Sequence, residues 1–137
     1  MKRMAWAAAV LIAAGCEPTR TSRNEPVLAK ADDLFLQEKY AQAAGHYEMF
    51  LADNPDDERR AELRVRAGKC HLAANSPDRA LAAFDRALAS PPPPAVKTDA
   101  LFRKGIAHRM LGDFGKARDA LRAVGSAPAA ERDRAGI

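Results

Sequence analysis

Apolar residues recur along this chain at helical spacing. Leu63, Ala67, Cys70, His71 and Ala74 fall at i, i+4, i+7, i+8 and i+11. Ala80, Leu81, Phe84, Ala87 and Leu88 fall at i, i+1, i+4, i+7 and i+8. Both are one-sided helical stripes rather than strand alternation. Residues 61–90 are therefore predicted to form two amphipathic helices. Asn75-Ser76-Pro77 lies between them, with Asn75 ending one helix, Ser76 capping the next and Pro77 in its first position, where no N–H is needed. The pattern recurs on both sides. Upstream, Leu28, Ala31, Leu34 and Phe35 precede a break at residues 37–39, then Ala43, Ala44, Tyr47, Phe50 and Leu51 follow, stopping at Asp53-Asn54-Pro55. Downstream, Leu101, Phe102, Gly105, Ile106 and His108 lead to a turn at Gly112-Asp113, then to Ala117, Ala120, Leu121 and Val124. Gly112 is expected to end its helix and Asp113 to cap the next. The four prolines at 91–94 cannot continue a helix and predict an extended spacer. Their brevity and their place between two helices argue against a polyproline recognition motif.

These three hairpins align at a period of 37 residues. Ala43, Ala80 and Ala117 form one column; Tyr47, Phe84 and Leu121 a second; Ala31, Gly68 and Gly105 a third; Tyr40, Pro77 and Phe114 a fourth. The pattern resembles the tetratricopeptide repeat. That unit is normally 34 residues, with a small residue on helix A, an alanine and then an aromatic on helix B, and a closing proline, as at Pro55 and Pro92. The match departs where Val27, Arg64 and Leu101 stand at the usual tryptophan position, at Lys30 and Lys104, and at Ala129, which replaces the third closing proline. The resemblance implies an all-α, right-handed solenoid of three hairpins over about residues 26–57, 58–92 and 95–128. Residues 125–137 are expected to be a short cap, forming a helical turn or fraying.

The first sixteen residues are different in kind. Lys2 and Arg3 precede an apolar run from Met4 to Ala14, and Ala14-Gly15-Cys16 follows. This is the order of a secretory signal, and the run is too short for a permanent membrane span. Its end resembles the bacterial lipobox, although Ala13 stands where leucine is preferred. The resemblance implies cleavage after residue 15, lipidation of Cys16 and a flexible tether over residues 16–25; the competing reading is an ordinary secretory signal. In lipoproteins of enteric bacteria an aspartate after the cysteine favours retention in the inner membrane, so the resemblance, with Glu17 at that position, implies the outer membrane.

Composition adds mainly exclusions. The formal charge is +4, and removing Lys2 and Arg3 leaves +2, with acids and bases interspersed. That is no nucleic-acid footprint. Two cysteines make no disulfide framework. No glycine-rich phosphate loop, paired catalytic carboxylates or nucleophile elbow occurs, so no catalytic residue, metal or cofactor is expected. His71 and His108 are repeat-equivalent and match Leu34, which makes them slot fillers. The competing reading is a metal- or redox-responsive site built from Cys70, His71 and His108. Against it, adjacent side chains on a helix point about 100° apart. His46, near Tyr47, is expected to be a half-exposed packing residue.

A stacked array offers a concave face made mainly of A helices. The resemblance maps groove positions onto Leu28, Asp32 and Phe35, then Glu62, Val65, Lys69 and Leu72, then Asp99, Phe102, Ile106 and Arg109. Mixed apolar anchors and charges suit an extended peptide or a partner helix. A lipid-anchored array of this period resembles two groups: the repeat domain associated with Tol–Pal and the helical-repeat lipoprotein of the outer-membrane barrel assembly machinery. The expectation is a non-enzymatic scaffold at the outer membrane, facing the periplasm, that binds an envelope protein in barrel assembly, Tol–Pal function, or pilus or secretin assembly. Its last repeat, with Leu121 and Val124 incompletely capped, is expected to dock on another protein or a second copy.

Overall fold

The computed structural model describes residues 24–137; the predicted signal, Cys16 and the tether up to residue 23 lie outside the described residues. Seven helices and no strand occur among the described residues. They are α1 (Glu25–Leu36), α2 (Tyr40–Asp53), α3 (Arg60–Ala73), α4 (Pro77–Ala89), α5 (Pro94–Met110), α6 (Phe114–Gly125) and α7 (Ala129–Arg134). The first six pair as three antiparallel hairpins, α1/α2, α3/α4 and α5/α6. Each B helix then packs on the next A helix, α2 on α3 and α4 on α5. The result is the α-solenoid expected from the repeat. None of these helices is long and apolar enough to cross a membrane.

The turn inside each hairpin has one construction. Glu38, Asn75 and Gly112 occupy equivalent positions, and all have positive φ, at 59°, 56° and 81°. The N–H of the following residue, Lys39, Ser76 or Asp113, donates to the carbonyl of Leu34, His71 or His108 at 2.8–2.9 Å. This is the left-handed helix ending that satisfies orphan carbonyls, and it is easiest for glycine or asparagine. Asn75 and Gly112 fulfil the sequence expectation; Glu38 does so against its own preference. The expected caps differ from observation. Neither Ser76 nor Asp113 makes a side-chain cap bond. Their backbone carbonyls accept the first i→i+4 bonds, from the N–H groups of Ala80 and Ala117, as N-cap carbonyls ordinarily do.

Prolines set where α5 starts. Ser90 is extended and Pro93 has φ −53° and ψ 145°, as the spacer predicts, and Pro94 opens the helix. The core lies between hairpins. A first cluster joins Leu28, Ala31, Leu34, Ala43, Ala44, Tyr47 and Phe50 to Leu63, Ala67 and Cys70 of α3. A second joins Val65, Ala80, Phe84, Ala87 and Ala100. Small residues let large ones in: a Cβ added at Gly68 would stand 2.4 Å from Cε1 of Phe84. At the end of the chain α7 packs against α5, and Arg132 donates to the Gly125 carbonyl at 3.1 Å. The tail therefore forms a one-turn cap rather than fraying.

Candidate functional site

The A helices carry a ladder of ion pairs. Glu25, Glu62 and Asp99 are repeat-equivalent acids, the first two in the first turns of α1 and α3 and the third one turn further into α5. Arg66 and Arg103, four residues on, pair with Glu62 and Asp99 at 2.9 and 3.1 Å. Other bridges cross between repeats. Arg59 reaches Glu25 at 2.9 Å, Arg66 reaches Asp32 at 3.3 Å and Lys69 reaches Asp99 at 2.6 Å. The exposed pairs among these, those of Glu25, Asp32 and Glu62, contribute about 0–1 kcal/mol each, so they orient the helices more than they stabilise them, whereas Asp99 is buried between two cations.

Between α1 and α3 this ladder borders a cleft of about 630 Å³. Its lining combines Leu28, Ala29 and Leu63 with the charged groups of Glu25, Asp32, Arg59, Glu62 and Arg66. The α3 helix packs along α5, whereas α1 and α3 touch only sparsely, which leaves the space open. Two groups hold the cleft wall from behind. Tyr47 donates its hydroxyl to Asp32; burial, then that carboxylate, raises the phenol pKa above its ordinary value. Arg59 lies over the Phe50 ring, 5.5 Å from its centroid, and its guanidinium holds the Asp57 carboxyl below the usual range.

The predicted groove residues divide into three groups. Leu28, Asp32 and Glu62 meet at the cleft. Phe35 and Arg109 are exposed, with Phe35 edge-on to Tyr40 at 5.5 Å; Phe102 and Ile106 are half-buried, and Arg103 covers the Phe102 ring. The rest serve packing. Val65 is 3% exposed within the second core cluster, Leu72 packs against that cluster, and Lys69 is held by Asp99, itself 8% exposed. Close contact of α3 with α5 accounts for this burial, and it removes Val65 and Asp99 from any surface that a partner could reach. Arg59, Arg66 and Tyr47 were missed. For Arg66 the available signal was the acid column at residues 25, 62 and 99, with arginine four residues on at 66 and 103.

The Cys70, His71 and His108 reading is not supported. Among the described residues no three His, Cys, Asp or Glu side chains gather as a metal cluster. Cys70 is wholly buried, and burial pushes its thiol up to about 11, aided by the Asp32 carboxylate. A thiol so raised is a poor nucleophile at neutral pH. His71 and His108 occupy the Leu34 slot, 5% and 8% exposed; His71 Nε2 lies 2.8 Å from Glu48, and His108 Nδ1 has no hydrogen-bond partner. His46 is half-buried on α2.

The tetratricopeptide-repeat sequence model matches residues 28–95 and 71–131. The chain belongs to the tetratricopeptide-repeat family. No curated protein and no solved structure matched it. Tetratricopeptide repeats generally carry protein–protein contacts.

Proposed function

We propose that this protein is a non-enzymatic scaffold, anchored by lipid on Cys16 at the periplasmic side of the bacterial outer membrane. It captures an envelope protein through the A-helix face. The observation that carries the binding reading is the α1/α3 cleft, where exposed Ala29, lying over the buried Leu28 and Leu63, is bordered by charges of both signs. An extended segment or a helix of the partner would lie across Ala29, while Asp32, Glu62 and Arg66 fix its register. The anchor and the compartment rest on the sequence order of basic, apolar and small residues before Cys16. The resemblance to Tol–Pal-associated and barrel-assembly repeat proteins suggests envelope assembly as the setting.

The test pairs Glu62→Arg with Arg109→Glu, both at exposed positions, in pull-downs from solubilised envelopes. Lys69 is a poor choice, because its partner Asp99 is buried and reversal would bury two carboxylates together, whereas Glu62 and its partner Arg66 are both exposed to water. Loss of one discrete partner with unchanged helical circular dichroism supports the face. Undiminished capture rejects it. For the anchor, Cys16→Ser should move the protein out of the membrane fraction, and unchanged fractionation rejects lipidation.

A further inference from the structure

Among the described residues, the last B helix lacks the covering that the first two receive. Tyr47 and Phe84 are 2% and 0% exposed beneath the next A helix, but their equivalent, Leu121, is 40% exposed. Phe114 is 69% exposed, whereas its equivalent Tyr40 packs against the first core cluster, which α3 helps to build. The α7 helix does not close this gap. It packs on α5 and reaches α6 near Gly125, beyond the stretch that carries Phe114 and Leu121.

Charge on this open face is inverted. In the first two hairpins the B helix offers an acid to a base on the following A helix: Glu48 to His71 at 2.8 Å and Asp85 to Lys104 at 2.6 Å. The equivalent on α6 is Arg122, and Arg118 stands where Ala44 and Leu81 pack in the earlier repeats. Phe114, Arg118, Leu121 and Arg122 share one side of the helix. We propose that the open face of α6 docks an acidic amphipathic helix from another protein, seated as the next A helix of the array. The seat continues the α2/α3 and α4/α5 interfaces already within the chain, and the two arginines choose the sign of the occupant's flanks. A second copy is a poorer occupant. The α6 helix carries three bases and one acid, so two copies face to face would repel. The outer face of α1 is also wrong for it. Lys30 and Asp33, both exposed, replace the Ala67 and Cys70 with which α3 meets α2.

This seat is separate from the A-helix cleft and stands or falls independently of it. The probe is a stapled helical peptide with the sequence of residues 60–75, carrying Arg60→Glu, Arg64→Glu and Arg66→Glu; the unaltered sequence is its basic counterpart. Fluorescence anisotropy with the full chain should show at least tenfold tighter binding of the acidic peptide. Arg118→Glu with Arg122→Glu should reverse the preference, Phe114→Ser should weaken both peptides, and Glu62→Arg should change nothing. Equal binding of the two peptides, no binding, or a preference unmoved by the double variant overturns the proposal. So does a dimer in sedimentation that excludes the peptide, or binding only to vesicles rich in anionic phospholipid.

Discussion

Gly68 and Phe84 are in direct contact across the central hairpin, the ring of one lying where a Cβ of the other would be, 2.4 Å from Cε1. The equivalent pair in the third repeat is looser: a Cβ at Gly105 would meet Leu121 Cγ at 2.9 Å, and Leu121 is partly exposed and free to move. Phe84 is fully buried and is not. Alanine gains up to about 1 kcal/mol over glycine in a helix interior. Overpacking costs about 1–3 kcal/mol. Gly68→Ala should therefore lower stability by about 1–2 kcal/mol, and Gly105→Ala should be close to neutral, as read from urea midpoints.

Glu38 holds a left-handed conformation that its equivalents Asn75 and Gly112 adopt more readily. Relief of that strain is worth about 1 kcal/mol. Glu38→Gly should raise the melting temperature, while Gly112→Ala should lower it. An unchanged melting temperature for both would mean that these turns carry no strain.

Asp57 is the carboxylate whose ionised form the fold favours most clearly, because Arg59 donates two side-chain bonds to it at 3.0 and 3.1 Å and a backbone N–H at 2.8 Å. Its pKa is lowered on folding, so its contribution is present above the ordinary carboxylate range and fades as pH falls through the folded value. Asp57→Asn should cost about 1 kcal/mol at pH 7 and progressively less toward pH 3, measured by denaturant unfolding across pH.

Cys70 should behave as a core residue. Its thiol, raised to about 11 and without exposure, should resist a disulfide-exchange reagent in the native protein at pH 8 and react at once in denaturant. Native reaction as fast as that of free cysteine would contradict the burial and reopen a redox role.

Local order was legible in the sequence because it depends on local chemistry. Helix stripes, the 37-residue period, the proline spacer and the Asn75 and Gly112 turns follow from residues close together in the chain. Glu38 was not legible as a left-handed turn, since its side chain opposes that conformation and only its neighbours impose it. The side-chain caps expected at Ser76 and Asp113 do not form; Asp113 faces His108 and Lys116 at 3.7 and 3.8 Å. Site residues were harder still. Leu28, Asp32 and Glu62 line one cleft, but the burial of Val65 and Asp99 depends on how closely α3 meets α5. That spacing is a property of three stacked hairpins and is written in no single one.

Binding through the A-helix face is tested most directly by photo-cross-linking in intact cells. A benzophenone side chain would replace Glu62 or Arg109 on that face, or Ala82 at an exposed position on α4. The expected result is one discrete adduct from positions 62 and 109, in the membrane fraction and abolished by Cys16→Ser, with none from position 82. An adduct from position 82 alone, or none from 62 and 109, would contradict binding through this face.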